Sequence, residues 1–336
     1  MRRTNRFGGG DVVSGVLGAD SRRVAAVDIG TITARLLVAD VSAGKITEVE
    51  RSTDVTHLGE GLVESGVLSA EAMERVEEVI ARYAATMIRL GVEEYRCVAT
   101  SASRDAANSF EFAARLSALG VAPEIVSGYE EARLAFSGAL WGIEGDGVLV
   151  NDVGGGSTEL VWGDSGGTGV AIRHAASIDV GSRRVTETYL HSDPPDALEL
   201  KRARRWVRER FAPFFSAMPG PPSVSISLAG TATTLAAIDQ RLEVYDAERV
   251  HGVVLARERL EAITASLASM TLAERRMLPG VHPQRAGVIV GGGLVLDAVL
   301  EGAGLDSTIV SEHDILYGIV LDVGARLARA GDGESG

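Results

Sequence analysis

The sequence contains one short passage twice. Asp28-Ile29-Gly30-Thr31-Ile32-Thr33 and Asp152-Val153-Gly154-Gly155-Gly156-Ser157 share an acid, a glycine and a terminal hydroxyl. Each follows an apolar run, Val24–Val27 or Val148–Val150, and precedes another, Leu36–Val38 or Leu160–Trp162. Each reads as strand, tight turn, strand, with the Asp closing the first strand. Aligned on the Asp, Thr33 falls on Ser157, Arg35 on Glu159 and Asp40 on Asp164. Such a repeat predicts two similar half-molecules, each offering backbone N–H groups and hydroxyls to an anion in a shared cleft.

The 336 residues suffice for two domains with separate cores. Strands and helices alternate in both halves, which predicts an α/β architecture. Helical spacing is clearest at Ser69–Leu90, where Met73, Val76, Ile80, Tyr83 and Met87 share a face and Gly91 follows. Ala197–Phe215 reads as a helix with a basic face, and Ile315–Ala330 as a final helix. Thr100–Asp105 reads as a polar turn. The expected organisation is a mobile extension over 1–23, a first domain over 24–143 and a second over 144–330. The last helix is expected to pack back on the first domain, and a disordered tail to occupy 331–336.

The net charge of −13 makes nucleic acid and anionic membranes poor partners. A polyanion needs a local basic lining, for which Arg104, Arg184, Arg205 and Arg285 are candidates. The single cysteine, Cys97, lies in an apolar stretch and reads as a core residue. One cysteine allows no disulfide within the chain, which fits a reducing cytoplasm. No apolar run is long enough to span a bilayer.

Glycines let a backbone approach phosphate closely, and Thr or Ser hydroxyls add neutral donors. Gly154, Gly155, Gly156, Ser157 and Thr158 form the richer cradle, and Thr31 and Thr33 the poorer. Arg35 and Arg104 follow such loops, and an Arg fork matches phosphate oxygens. Gly230 and Thr231 open a helix after a strand, another anion-ready end. Asp28, Asp152 and Glu159 would repel a phosphate unless a cation intervened, and Mg²⁺ (or Mn²⁺) suits such oxygen ligands. Glu130 and Glu131 lie at the mouth of a helix, where acids also suit the dipole. A carboxylate there is placed to activate water. Ser311 with Glu312 and Asp314 reads as a capping cluster for the final helix.

Taken together, these blocks resemble the exopolyphosphatase/guanosine pentaphosphate phosphohydrolase (Ppx/GppA) family. The resemblance runs from Val24 to Leu327 through Val27–Gly30, Ala99–Ala102 with Arg104-Asp105, and Ser127-Gly128 with Glu130–Leu134. It continues through Asp152–Leu160, Asp193–Pro195, Ala229–Thr231, His282-Pro283 with Arg285-Ala286, and Val310–Leu316. It implies two actin/hexokinase/Hsp70-like (ribonuclease H-like) domains around an inter-domain active-site cleft. It implies hydrolysis of the terminal phosphate of inorganic polyphosphate with Mg²⁺, in a cytoplasmic homodimer of the short, two-domain form. Carried over by position, Glu130 is the general base, and Asp152 and Glu159 are metal or catalytic carboxylates. Guanosine pentaphosphate is the alternative substrate, since the motifs do not separate the two.

One position departs from the family. Its first loop usually carries Asn between the two hydroxyl residues, where this chain has Ile32. Losing a donor to a buried partner costs about 1–3 kcal/mol, which raises a non-catalytic sensor as a second alternative. A kinase of the same fold is a third. It would need a nucleoside pocket, for which Gly230-Thr231 and Gly291–Gly293 are the candidates.

Overall fold

The structure is a computed structural model describing residues 21–42, 45–166 and 169–332. The expected extension falls largely in residues 1–20, and the expected tail partly in 333–336, outside the described residues. The chain forms two compact units. One holds the described residues up to Ser127 and those from Ile315 onward; the other is Gly128–Asp314.

The first unit opens with β1 (Arg22–Ile29), β2 (Thr33–Ser42) and β3 (Lys45–Val55). The strand begins at Arg22, ahead of the expected Val24. Arg23 is fixed there by two bonds to Asp40, at 2.7 and 2.9 Å. Helices α1 (Leu62–Ser65) and α2 (Ala70–Arg89) follow, then β4 (Glu94–Ala99), α3 (Ser101–Asp105), α4 (Ser109–Ala118) and β5 (Pro123–Ile125). Ser69 caps α2 by accepting from the Ala72 N–H, as its sequence predicts. The supposed polar turn at Thr100–Asp105 is instead the short helix α3.

The second unit begins with α5 (Gly128–Ala139), β6 (Gly145–Val153), β7 (Thr158–Gly166) and β8 (Gly169–Ile178). Because α5 packs on β6, β7 and β8, the break between units precedes it. Next come α6 (Ser182–Tyr189), α7 (Ala197–Ala217), β9 (Val224–Leu228), α8 (Ala229–Asp239) and α9 (Ala247–Val250). The unit ends with β10 (Val254–Ala256), α10 (Arg257–Ala268), α11 (Leu272–Arg276), α12 (Ile289–Ala303) and β11 (Ser307–Val310). The chain then returns to the first unit as α13 (Ile315–Asp332), which packs on β1, β2 and β4. Ser311 lies too far ahead of α13 to cap it and bonds with His313 instead.

The two sheets repeat one plan. The first runs β3-β2-β1-β4-β5 and the second β8-β7-β6-β9-β11, with β10 added at its edge. In each, the opening strand pairs antiparallel with a meander on one side and parallel with a later strand on the other. β1 is buried from Arg23 to Ile29, which requires cover on both faces. Ala25, Val27 and Ile29 join Met73, Val76 and Ile80 of α2 in one core. Cys97 is part of that core, and burial pushes its thiol pKa up.

The second core gathers Leu149, Leu160, Val207, Phe211, Leu294 and Val299. At its centre, α12 carries Gly291-Gly292-Gly293 within its opening turns. A Cβ at these positions would meet Ser182 O at 2.6 Å, Thr231 at 2.8 Å and Thr264 Oγ1 at 2.3 Å. The triplet therefore lets α6, α8 and α10 close on three sides of one helix. It is a packing device, which removes it as a nucleoside loop.

Candidate active site

In the second unit, β6 delivers Asp152 and β7 delivers Glu159 to directly opposed positions. The turn between them closes through Gly154 N–H to Ser157 O at 3.0 Å. In the first unit Asp28 opposes Arg35, and Gly30 N–H bonds Thr33 O at 2.8 Å. The sequence repeat is thus a repeat of backbone geometry.

Helix α6 holds the second turn by its carbonyls. Ser182 N–H donates to Gly154 O at 2.8 Å, and the N–H groups of Arg183 and Arg184 to Gly155 O at 2.9 and 3.1 Å. Arg184 Nε donates to Gly156 O at 2.8 Å. A Cβ at Gly181 would meet Gly155 O at 2.4 Å, so glycine is required for this approach. Gly155 and Gly156 are buried, yet their N–H groups have no backbone acceptor among the described residues. Buried donors of this kind want an anion. Thr158, also in the predicted cradle, directs its hydroxyl to Val180 O.

Three carboxylates converge beside this turn. Glu159 is 2% exposed, and its Oε1 accepts from Ser177 Oγ at 2.7 Å and Ser157 Oγ at 2.9 Å. Burial pushes its pKa well above the usual carboxylate range, and the charges of Glu131 and Asp152 push the same way. The two serine bonds oppose this without cancelling it. Glu131 and Asp152 are each 9% exposed. Glu130, one residue earlier on α5, is held by Arg133 through two bonds at 2.8 and 3.0 Å. The helix thus separates the two glutamates, with Glu131 beside Glu159.

The sequence did not distinguish Glu131 from Glu130, and it did not single out Ser177. The pair Glu130-Glu131 was visible, but its phase on α5 was not. Ser177 lies on β8, which the sequence did not announce. Gly128 packs so closely that its Cβ would meet Ser177 Cβ at 2.3 Å. The family block Ser127-Gly128 was the one signal available.

The α8 entrance brings Gly230 and Arg285 together. A Cβ on Gly230 would lie 1.0 Å from Arg285 Nη1, so the guanidinium occupies the space that glycine leaves. Thr231 Oγ1 donates to Val153 O at 3.2 Å, tying this entrance to the end of β6.

In the first unit, Arg35 Nε and Nη2 both donate to Asp28 Oδ2, at 3.0 and 2.6 Å, with Asp28 3% exposed. The expected metal ligand and the expected phosphate ligand are thus ion-paired with each other. Ile32 O accepts from the N–H groups of Thr56 and His57. Thr31 is 7% exposed and fills the space beside Gly59. Arg104, on α3, donates to Val126 O at 3.1 Å.

Residues 37–324 match the model of the Ppx/GppA phosphatase family. The chain belongs to that family. It is 40% identical over 318 residues to exopolyphosphatase 2 of Mycobacterium tuberculosis, covering 90% of this chain and 98% of the relative. It is similar to the crystal structure of an exopolyphosphatase-like protein, with TM-score 0.87, 37% identity, and 92% and 99% of the two chains covered. The Ppx/GppA member of Aquifex aeolicus gives TM-score 0.77 at 30% identity, over 91% and 98% of the chains. Within this family frame, the chain has the two mixed α/β sheets, and no described helix is long and apolar enough to cross a membrane.

Proposed function

We propose that the chain is an exopolyphosphatase that releases the terminal phosphate of inorganic polyphosphate. The convergence of Glu131, Asp152 and Glu159 beside the Gly154–Ser157 turn carries this reading, together with the family's phosphatase chemistry. The N–H groups of Gly155 and Gly156 receive terminal-phosphate oxygens, and Arg285 receives another. Glu131 orients a water and takes its proton as the water oxygen bonds to the terminal phosphorus. The bond from that phosphorus to the bridging oxygen breaks, leaving orthophosphate and a chain one phosphate shorter. Glu131 is proposed as base in place of Glu130 because it is buried beside Glu159, whereas Glu130 is bonded to Arg133.

Magnesium fits this donor set. Asp152 and Glu159 offer oxygen only, and their burial together calls for a positive charge. No group of three or more His, Cys, Asp or Glu among the described residues is arranged to hold a metal by itself. One or two carboxylates completed by water and substrate oxygens is the usual magnesium shell. When bound, the ion would neutralise charge developing on the phosphate.

Hydrolysis in oxygen-18-labelled water tests the reaction class. The proposal requires one labelled oxygen in each orthophosphate released from polyphosphate. Transfer of phosphate to an organic acceptor, with no labelled orthophosphate, would identify a kinase instead.

A further inference from the structure

Helix α7 carries Lys201, Arg202, Arg204, Arg205, Arg208 and Arg210, all exposed, in a chain whose net charge is −13. Lys201, Arg204, Arg205 and Arg208 are spaced i, i+3, i+4 and i+7, so they form one stripe along the helix. Beside it on the same helix, Ala203, Val207, Phe211 and Phe214 are buried in the core. Elsewhere most arginines are matched to acids: Arg23 to Asp40, Arg82 to Asp54, Arg89 to Glu50, Arg259 to Asp239. On α7 the matching is incomplete. None of the ion pairs among the described residues involves Lys201, Arg202 or Arg204. Arg205 is bridged to Glu209, and Arg208 to Glu301.

We propose that this stripe is a second binding site, which holds the body of a long polyphosphate chain away from the reacting end. The proposal rests on the exopolyphosphatase reading for its choice of ligand. Polyphosphate is a flexible strand with a negative charge on every unit, and cations spaced along about 10 Å of helix suit it without demanding one register. Glu258, Glu261 and Asp297 line the groove beside Arg204 and Arg208. They confine an anion to the outer ridge of Lys201, Arg204 and Arg205. The bridge to Glu209 restrains Arg205 in the absence of ligand.

The test is the triple variant Lys201→Gln, Arg204→Gln, Arg205→Gln, compared with wild type on long-chain polyphosphate and on tetraphosphate. The expected result is a KM for long chains raised about tenfold, the sum of three exposed charge contacts. KM for tetraphosphate and both kcat values should stay unchanged. Glu209→Gln, which frees Arg205, should lower KM for long chains alone. Direct binding of labelled long-chain polyphosphate should weaken in parallel and show a shallower salt dependence in the triple variant. This binding readout keeps the site testable even if wild type releases no phosphate, a result that would sink the exopolyphosphatase reading by itself. Unchanged binding and KM for long chains, or equal losses on long chains and tetraphosphate, would overturn the proposal. So would duplex DNA binding through these residues as tightly as polyphosphate at equal charge concentration.

Discussion

Glu159 stands opposite Asp152 across β6–β7, the place that Arg35 holds opposite Asp28 across β1–β2. The same backbone repeat thus carries two different electrostatic states. In the first unit the opposed pair neutralises itself. In the second, two acids face each other with Glu131 as a third, and burial amplifies their repulsion. Among the described residues no cation offsets that repulsion at Glu159, so the second unit stores it.

The stored repulsion predicts how Glu159→Gln behaves. The folded-state pKa of Glu159 is raised above its ordinary value of 4.5. Its contribution to stability is therefore present below that pH and is lost as pH rises through the folded pKa. Glutamine carries no such loss. In metal-free buffer the variant should melt at the same temperature as wild type in acid and progressively higher towards pH 8. The gain should be about 2–4 °C for each kcal/mol relieved. Phosphate release should be abolished. Thermal melts across pH check the sign, and a variant that is less stable at pH 8 would contradict it.

The division of labour on α5 predicts unequal effects of neighbouring substitutions. Glu131→Gln should lower kcat about 10²–10⁴-fold with the fold intact, as expected for loss of a general base. Glu130→Gln should change kcat by no more than about threefold, since it breaks a half-exposed ion pair. Steady-state kinetics on the two variants separate the roles.

The glycine at the α8 entrance predicts a positioning defect. Gly230→Ala must displace the Arg285 guanidinium, because the new Cβ would lie 1.0 Å from Nη1. Losing the one charge-assisted phosphate contact proposed for Arg285 should lower kcat/KM about 10- to 100-fold. Arg285→Gln should give a similar loss, and the double variant little more than either alone. An additive double variant would show that Gly230 acts elsewhere.

The first-unit pair predicts a stability defect. Arg35→Leu leaves Asp28, 3% exposed, without its arginine. Breaking a buried pair on one side costs about 3–5 kcal/mol. Adding Asp28→Asn should restore much of it. Denaturant unfolding of the single and double variants measures both steps.

Much of this was legible in the sequence because its signals are periodic or repeated. The paired Gly turns, the α2 stripe and the basic face of α7 each rest on spacing, and each appears in the structure. What stayed hidden depends on phase and contact. Glu130 and Glu131 lie about 100° apart on a helix, and only the packing of Ala132, Leu134 and Ala135 fixes which one turns inward. Strand β8 lacks clean alternation, so Ser177 had no visible role until its hydroxyl met Glu159. The glycine triplet was a nucleoside-pocket candidate because tight helix packing and close approach to a ligand call for the same residue.

The most direct measurement is orthophosphate release with Mg²⁺ from long-chain polyphosphate, guanosine pentaphosphate and ATP at equal terminal-phosphate concentration, for wild type and Glu131→Gln. The account predicts fastest release from polyphosphate by wild type, and collapse of that rate in the variant. Release confined to the guanosine substrate or ATP, or full activity in Glu131→Gln, would contradict it.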